Sequence, residues 1–358
     1  MLENINYVPT LALRSSELKG LGFLPDITKR RMRPCFLLAP WSRTPSLARA
    51  VERLEQSYGV GSYFLDIDRD YVPTNDTSPA QIEWLSLLDP ANSYQNWCTF
   101  ACEHSNVIPA LQLEGQTDRE ILTQVQRFQQ AGKQFFVRES RLRPTGGLLA
   151  AISALNSVGT ADFAVILEGG WSSDVLQLPV WYTGIIQGQL QELNSTVPVV
   201  ASCTSMPKSF SQFNNGSQVN FNNRQLVAQV QSATNRGSVI YGDWGSTRPR
   251  EQSGGGGHFI PPRIDYPTDN SWWIYRNADV PWTFQQAARA LVEGGDVWDG
   301  DTDQWGEQMI AQTVVNEASG IDTLQKNVTV RVNLHLHRQA FYGAQRPSLI
   351  EFEDDWTD

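Results

Sequence analysis

Acidic side chains stand at intervals along this 358-residue chain, several of them closing a short apolar run. Asp66, Asp68 and Asp70 follow one run, Gln112 and Glu114 the next, then Arg138, Glu139 and Arg141, Glu168, Ser202 and Thr204, Asp243, and Arg276. Carboxylates gathered from such positions have three chemistries open to them. Two can work as acid and base across a bond such as a glycosidic linkage, with Asp243, Glu168 and Asp66 as the candidate catalytic groups. Several oxygens can cage a divalent cation such as Mg2+, with Asp66 and Asp68 as ligands. Each can instead neutralise an arginine, here Arg138, Arg141 or Arg276, or cap a following helix.

These residues need elements to position them. The apolar runs cover 33–40, 62–68, 106–114, 133–139, 162–168, 197–203, 238–243 and 270–276, and continuous runs of that length suit parallel strands buried on both faces. Amphipathic segments lie between them. Thr117-Asp-Arg-Glu120 reads as a capping box opening a helix that ends at Gly132. The segments beginning at Thr44, Thr145 and Asn222 have similar starts. Eight strands each followed by a helix or crossover predict an α/β fold, a (β/α)8 TIM-like barrel. A doubly wound sheet would want a glycine-rich turn after its first strand, where this chain has Pro40-Trp-Ser-Arg-Thr.

The barrel, with an N-terminal lead-in, is expected over 1–281. Helical segments at 282–350 form a C-terminal cap packed on it, and 351–358 is an acidic tail. A long loop between the seventh and eighth strands carries Gly254 to Gly257, read as a flexible lid or spacer at the mouth. In a β/α barrel the carboxyl ends of the strands carry the working residues, so the strand-end acids become the expected site. Period-2 geometry puts Asp66 and Asp68 on one face, and Gln112 and Glu114 on one. Arg138, Arg248, Arg263 and Arg276 are the expected contacts for an anionic substrate. Trp244, beside Asp243, is the indole best placed to stack on a ring, although six tryptophans between 244 and 305 also suit a packed junction of barrel and cap.

Other chemistries lack their residues. The histidines are His104, His258, His335 and His337, and the last two lie two apart on a helix, pointing to different sides. Cys98 and Cys102, near His104, suit two buried thiols better than a metal clip, because no second ligand pair matches their spacing. There is no Gly-x-Ser-x-Gly elbow, P-loop or dinucleotide fingerprint.

Composition sets the outer limits. A hydrophobic fraction of 41% with 18% charged residues describes a packed globular chain. The net charge of −10, five of it in the tail, argues against a nucleic-acid footprint. No apolar stretch is long enough to span a membrane and the first residues do not form a signal peptide, so a soluble, cytoplasmic protein is expected.

Short motifs in a fixed order carry a resemblance. Tyr7-Val-Pro-Thr-Leu, Ser16-Glu-Leu-Lys-Gly-Leu, Arg33-Pro-Cys-Phe, Tyr241-Gly-Asp-Trp244, Pro262-Arg-Ile-Asp-Tyr266 before Trp273, Trp305-Gly with Ile310, and His335-Leu-His337 span nearly the whole chain. Together they resemble the phage and bacterial beta protein family, with departures at Ala12-Leu-Arg-Ser15 and in the spacing of the late histidines. The resemblance implies a setting in phages, prophages and mobile or defence-associated loci and supplies no mechanism. Two functions follow as expectations: a hydrolase or lyase whose strand-end carboxylates act on an anionic substrate, or a non-catalytic barrel that binds a small molecule or protein in phage–host conflict.

Overall fold

The strands alternate between two buried environments, and that alternation builds the architecture. The computed structural model describes residues 1–41, 44–74, 78–160, 162–237, 239–251, 260–294, 297–300 and 303–346; the expected glycine run 254–257, His258 and the acidic tail lie outside them. Eight parallel strands form one sheet: β1 (Tyr7–Ala12), β2 (Cys35–Leu38), β3 (Tyr63–Ile67), β4 (Val107–Pro109), β5 (Phe135–Ser140), β6 (Phe163–Trp171), β7 (Val199–Thr204) and β9 (Val239–Asp243). Their order is β4-β3-β2-β1-β9-β7-β6-β5, and a parallel bridge from Ala110 to Phe136 brings the two edges together. The result is a (β/α)8 barrel. Val8, Cys35, Leu37, Phe64, Ile108, Phe136, Ala164, Ile166 and Val200 fill its interior, while Tyr7, Phe36, Leu65, Val137, Val165, Ala201 and Tyr241 face the helices.

The intervening helices are α1 (Ser15–Gly22), α2 (Asp26–Lys29), α3 (Ala48–Tyr58), α4 (Pro79–Leu87), α5 (Ala91–Glu103), α6 (Asp118–Gln130), α7 (Leu148–Ser157), α8 (Pro179–Gly188) and α9 (Asn223–Thr234). The capping box of α6 is formed: the Thr117 side chain accepts from the Glu120 amide and the Glu120 carboxylate accepts from the Thr117 amide. Among the described residues no helix is long and apolar enough to cross a membrane.

Two strand assignments differ from the sequence expectation. The lead-in supplies β1, which has no long apolar run because Pro9 and Thr10 interrupt it, and β1 pairs with β2 on one side and β9 on the other. The run 270–276, expected as the eighth barrel strand, is β11 (Ser271–Tyr275) of a separate antiparallel sheet with β10 (Ile264–Pro267) and β8 (Ser217–Asn220). Three residues, 268–270, join β10 to β11, and a connection that short permits only antiparallel pairing. The long expected loop therefore runs from the last barrel strand into this sheet.

The small sheet shares a core with α10 (Phe284–Gly294), α11 (Trp305–Val315) and one side of α12 (Leu324–Ala340). Helix α12 has two apolar faces: Val332, Leu336 and Ala340 join the core around the barrel, and Val330 and Leu334 join the core of the small sheet. A helix apolar all round its waist belongs between two cores. It meets α1 closely at Gly20, where an added Cβ would lie 2.8 Å from the Thr329 carbonyl oxygen and 3.0 Å from Val332 Cβ. Gly20→Ala is accordingly expected to cost about 1–3 kcal/mol in urea unfolding through overpacking. Gly22→Ala, whose nearest neighbours would lie 3.8 Å away, is expected to stay within about 0.5 kcal/mol of the parent.

Candidate functional site

Inside the barrel, near the carboxyl ends of the strands, the packing turns from apolar to charged. Two residues beyond Phe64, Phe136 and Ile166 on the same inward faces come Asp66, Arg138 and Glu168. Arg138 Nη1 lies 3.1 Å from Asp66 Oδ2. The other Asp66 oxygen accepts from Gln112 Nε2 at 2.8 Å and from the Ile67 amide at 2.8 Å. Register sets Glu168 beside Ser140 on one side and Ser202 on the other. Glu168 Oε1 accepts from the Trp244 indole at 2.9 Å and the Gly170 amide at 2.7 Å, and Oε2 from the Ser202 hydroxyl at 3.1 Å. Gly170, at φ +70°, turns the chain back so that its amide reaches the carboxylate.

Burial dominates this cluster. It raises the Glu168 pKa, and neither the Arg138 charge nor the Trp244, Gly170 and Ser202 donors fully offset it. Burial also opposes the charge on Arg138, but Asp66 and then Glu168 outweigh it and hold the guanidinium charged. Arg138 Nε has no hydrogen-bond partner. Above Asp66 and Arg138 lies a recess of about 50 Å³, room for a few waters and far below the 300 Å³ or more of a substrate pocket.

Asp243 belongs to the opposite face of its strand. Parity turns Gly242 and Trp244 inward and sends Asp243 with Tyr241 outward to the helix layer, so the barrel does not bring Asp243 to Glu168 and Asp66. Its carboxylate accepts four hydrogen bonds, from Tyr7 Oη at 2.7 Å, the Gly245 amide at 2.8 Å, Tyr241 Oη at 2.6 Å and His335 Nε2 at 2.6 Å. Burial would raise its pKa; His335 and the two tyrosine hydroxyls overcome that and pull it down to about 2.

The other expected residues are dispersed. Trp244 is 2% exposed inside the barrel, Arg263 is bonded to Asp265 at 2.8 Å, and Arg276 is buried against the Phe210 carbonyl. Asp68 pairs with Arg250 Nε at 2.5 Å, and its Oδ1 accepts from the Asp70 amide at 3.2 Å. Asp66 and Asp68 therefore each hold a guanidinium, and among the described residues no group of three or more His, Cys, Asp or Glu side chains gathers as a metal site. His335 and His337 separate as their spacing requires, His337 Nδ1 meeting Thr28 Oγ1 at 2.9 Å on the far side of α12.

The open space lies beside the acids. A cleft of about 880 Å³ sits over the carboxyl ends of β1, β2 and β3. Its described walls carry Arg14, Lys19, Arg53 and Arg250 and no acid, together with Trp41 and Tyr71. The Arg53 guanidinium lies 4.8 Å over the Trp41 ring. A second cavity, of about 580 Å³, lies over the ends of β7 and β9 and includes Arg14, Arg248, Arg263 and Arg331. Sequence reasoning missed Arg14 and Trp41 as site residues. The signal was present: Trp41 follows β2 as Asp66 closes β3, and Arg14 follows β1 once 7–12 is read as a strand.

The acids differ in what they contribute to stability. Asp243 titrates lower in the folded chain than in the unfolded one, so its contribution is complete above about pH 4 and is lost as pH falls through about 2. Between about pH 6 and pH 2 the parent is expected to lose about 2 kcal/mol more stability in urea than Asp243→Asn. Glu168 has the opposite sign, since its folded pKa is raised: its stabilising contribution is present below the unfolded value and is lost as pH rises through the folded one. At about pH 8, Glu168→Gln, which keeps the shape without the charge, is expected to be as stable as the parent or more so in the same assay.

Comparison with known proteins covers almost the whole of this structure. The chain is 25% identical over 347 residues to "Protein beta" of Enterobacteria phage P4, an alignment that takes in 94% of this chain and 93% of the phage protein. The pattern of the family described as Beta protein matches residues 7–341, from the first barrel strand to the residue after α12. On that match the chain belongs to the Beta protein family.

Proposed function

We propose that this barrel binds an anionic small molecule bearing a planar ring in the cleft over β1, β2 and β3. One observation carries the reading: in a chain of net charge −10, the described lining of the 880 Å³ cleft holds four cations and no carboxylate, with only Arg14 and Arg250 paired to acids behind the wall. Lys19 and Arg53 make no ion pair among the described residues, Arg53 lying over the Trp41 ring, so no described acid neutralises either charge. Trp41 and Tyr71 supply the faces on which a ring stacks. Arg250, fixed by Asp68, is held in place before a ligand arrives, which lowers the entropy lost on binding.

The carboxylates support this reading in a second role. Asp66, Asp68 and Glu168 anchor guanidinium, indole and hydroxyl groups beneath the mouth, which favours a binding barrel over a hydrolase or lyase. The catalytic reading retains the recess over Asp66 as the place where a water could meet a bound anion.

Phenyl phosphate, phenol and 4-nitrophenyl phosphate separate the possibilities. By calorimetry, phenyl phosphate is expected to bind and phenol not, with Arg53→Gln and Trp41→Ala each weakening binding by about tenfold. Equal affinity for phenol, or affinity unchanged in both variants, overturns the reading. Release of nitrophenolate that Asp66→Asn abolishes would establish the hydrolase instead.

A further inference from the structure

The second cavity has a different construction from the first. It is walled by the segment after β1, the segments after β7 and β9, and the first half of α12, and four guanidinium groups reach it from separate elements. Arg14 comes from the β1 to α1 junction, Arg248 from beyond β9, Arg263 from the approach to β10 and Arg331 from α12. Only Arg331 and Arg263 are deeply buried, at 5% and 7% exposure, and they share a single carboxylate: Asp265 Oδ2 lies 2.5 Å from Arg331 Nη1 and Oδ1 lies 2.8 Å from Arg263 Nε. One anion between two cations leaves a surplus, and Arg331 Nε has no hydrogen-bond partner.

The remaining acids do not remove that surplus. Glu17 is taken by Arg14 at 3.0 Å, and Glu251 is divided between Lys208 at 2.5 Å and Arg248 at 3.8 Å. The described lining of the cavity therefore sets Arg14, Arg248, Arg263 and Arg331 against Glu17 and Glu251, with Asp265 behind the wall and Lys208 beside it as a further partner of Glu251. Burial lowers the pKa of Arg331; the Asp265 carboxylate opposes that, and the nearby charges of Arg263 and Arg248 add to the lowering. Helix α1 adds donors: Ser15 and Ser16 of its first turn line the cavity, and no side chain caps that end. Arg14 also donates to the Arg248 carbonyl at 3.0 Å, so two of the arginine-bearing segments are tied together without a ligand.

We propose that this cavity, at the carboxyl ends of the last two barrel strands, is a binding site for a phosphate dianion, free or as the phosphate of a monoester. A tetrahedral dianion supplies two charges and several acceptor oxygens to guanidinium forks that arrive from different directions, which a single carboxylate cannot do. The loops after the seventh and eighth strands are also where β/α barrels in general cradle phosphates. The site is separate from the ring-binding cleft and rests on that reading only in treating the mouth as anion-binding, with Arg14 shared between the two cavities.

Inorganic phosphate is the probe, titrated into the full chain against chloride at matched ionic strength while thermal unfolding is followed. A saturable rise in Tm with phosphate and none with chloride is expected. Arg248→Gln, at a side chain only 28% exposed but paired loosely, is expected to weaken phosphate about tenfold, and Arg53→Gln to leave it unchanged. Arg248→Lys, which keeps the charge and loses the fork, is expected to fall between and serves if the glutamine variant does not fold. No rise beyond that of chloride, or an equal rise in the parent and both Arg248 variants, overturns the site. Loss of the rise in Arg53→Gln alone places the anion in the other cleft, overturning this site while leaving the ring-binding reading intact. The converse failure, phosphate bound here and phenyl phosphate no tighter than phosphate and indifferent to Trp41, leaves this site standing alone.

Discussion

From Thr329 onward α12 has no face to water, and most of the polar groups it buries there are met by neighbouring elements, a constraint that ties the whole molecule together. It lies between the barrel and the small sheet, and nearly all of its residues from Thr329 to Ala340 are buried. His335 reaches Asp243 at the end of the last barrel strand, His337 meets Thr28, Asn333 donates to the Gly20 carbonyl, and Arg331 holds Asp265. Arg338 bonds Glu307 and the Tyr266 hydroxyl. Those contacts join β9, α1, α2, β10 and α11 through one helix. Burial of polar groups is expensive when any one is left unpaired, so the set favours a single seating of α12.

The same constraint explains why Asp243 is so fully held. It stands where barrel and helix meet, so Tyr7 from the first strand, Tyr241 from its own and His335 from α12 all converge on its two oxygens. Each donor strengthens the charged form, and the charge in turn fixes the orientation of groups from three elements. Across the barrel wall, the Asp66, Arg138 and Glu168 cluster does comparable work at the top of the interior. The wall of parallel strands thus has a saturated acid on its outer side and a buried ion pair on its inner side, with the basic clefts open above. Acids and arginines meet in pairs at the mouth, Asp68 with the distant Arg250 and Glu17 with the nearby Arg14, so the fold has set opposite charges beside one another there.

Much of this was legible in the chain itself. Continuous apolar runs told of strands covered on both faces, and the capping box at Thr117 and Glu120 marked a helix start that the structure reproduces. The pairing of Asp66 with Arg138 was among the chemistries the strand ends allowed. The two late histidines, spaced two apart, had to point different ways, and they do. What misled was strand membership. Trp272, Trp273 and Ile274 read as a buried barrel strand because a small sheet covered by α10, α11 and α12 makes the same demand for apolar side chains. Tyr7 to Ala12 was passed over because a proline and a threonine broke its run, although Pro9 sits in register with Asp243 and Thr10 faces the interior.

Local sequence determined which residues share a face, where helices begin and that the strands are buried on both sides, because these follow from backbone periodicity and capping chemistry over a few residues. It also determined the inventory of charge, including the arginines after β1 and β9. Tertiary structure alone decided which face became the barrel interior, since that depends on the closure of β4 against β5 and on α12 arriving from the far end of the chain to cover β9 and β1. That choice sent Glu168 inward to Trp244 and Asp243 outward to His335, turning a row of similar strand-end acids into two unrelated sites. It also brought Arg14 and Arg331, more than three hundred residues apart in sequence, to one cavity. Charges so distant interact only through the space the fold creates, and no local pattern records that space.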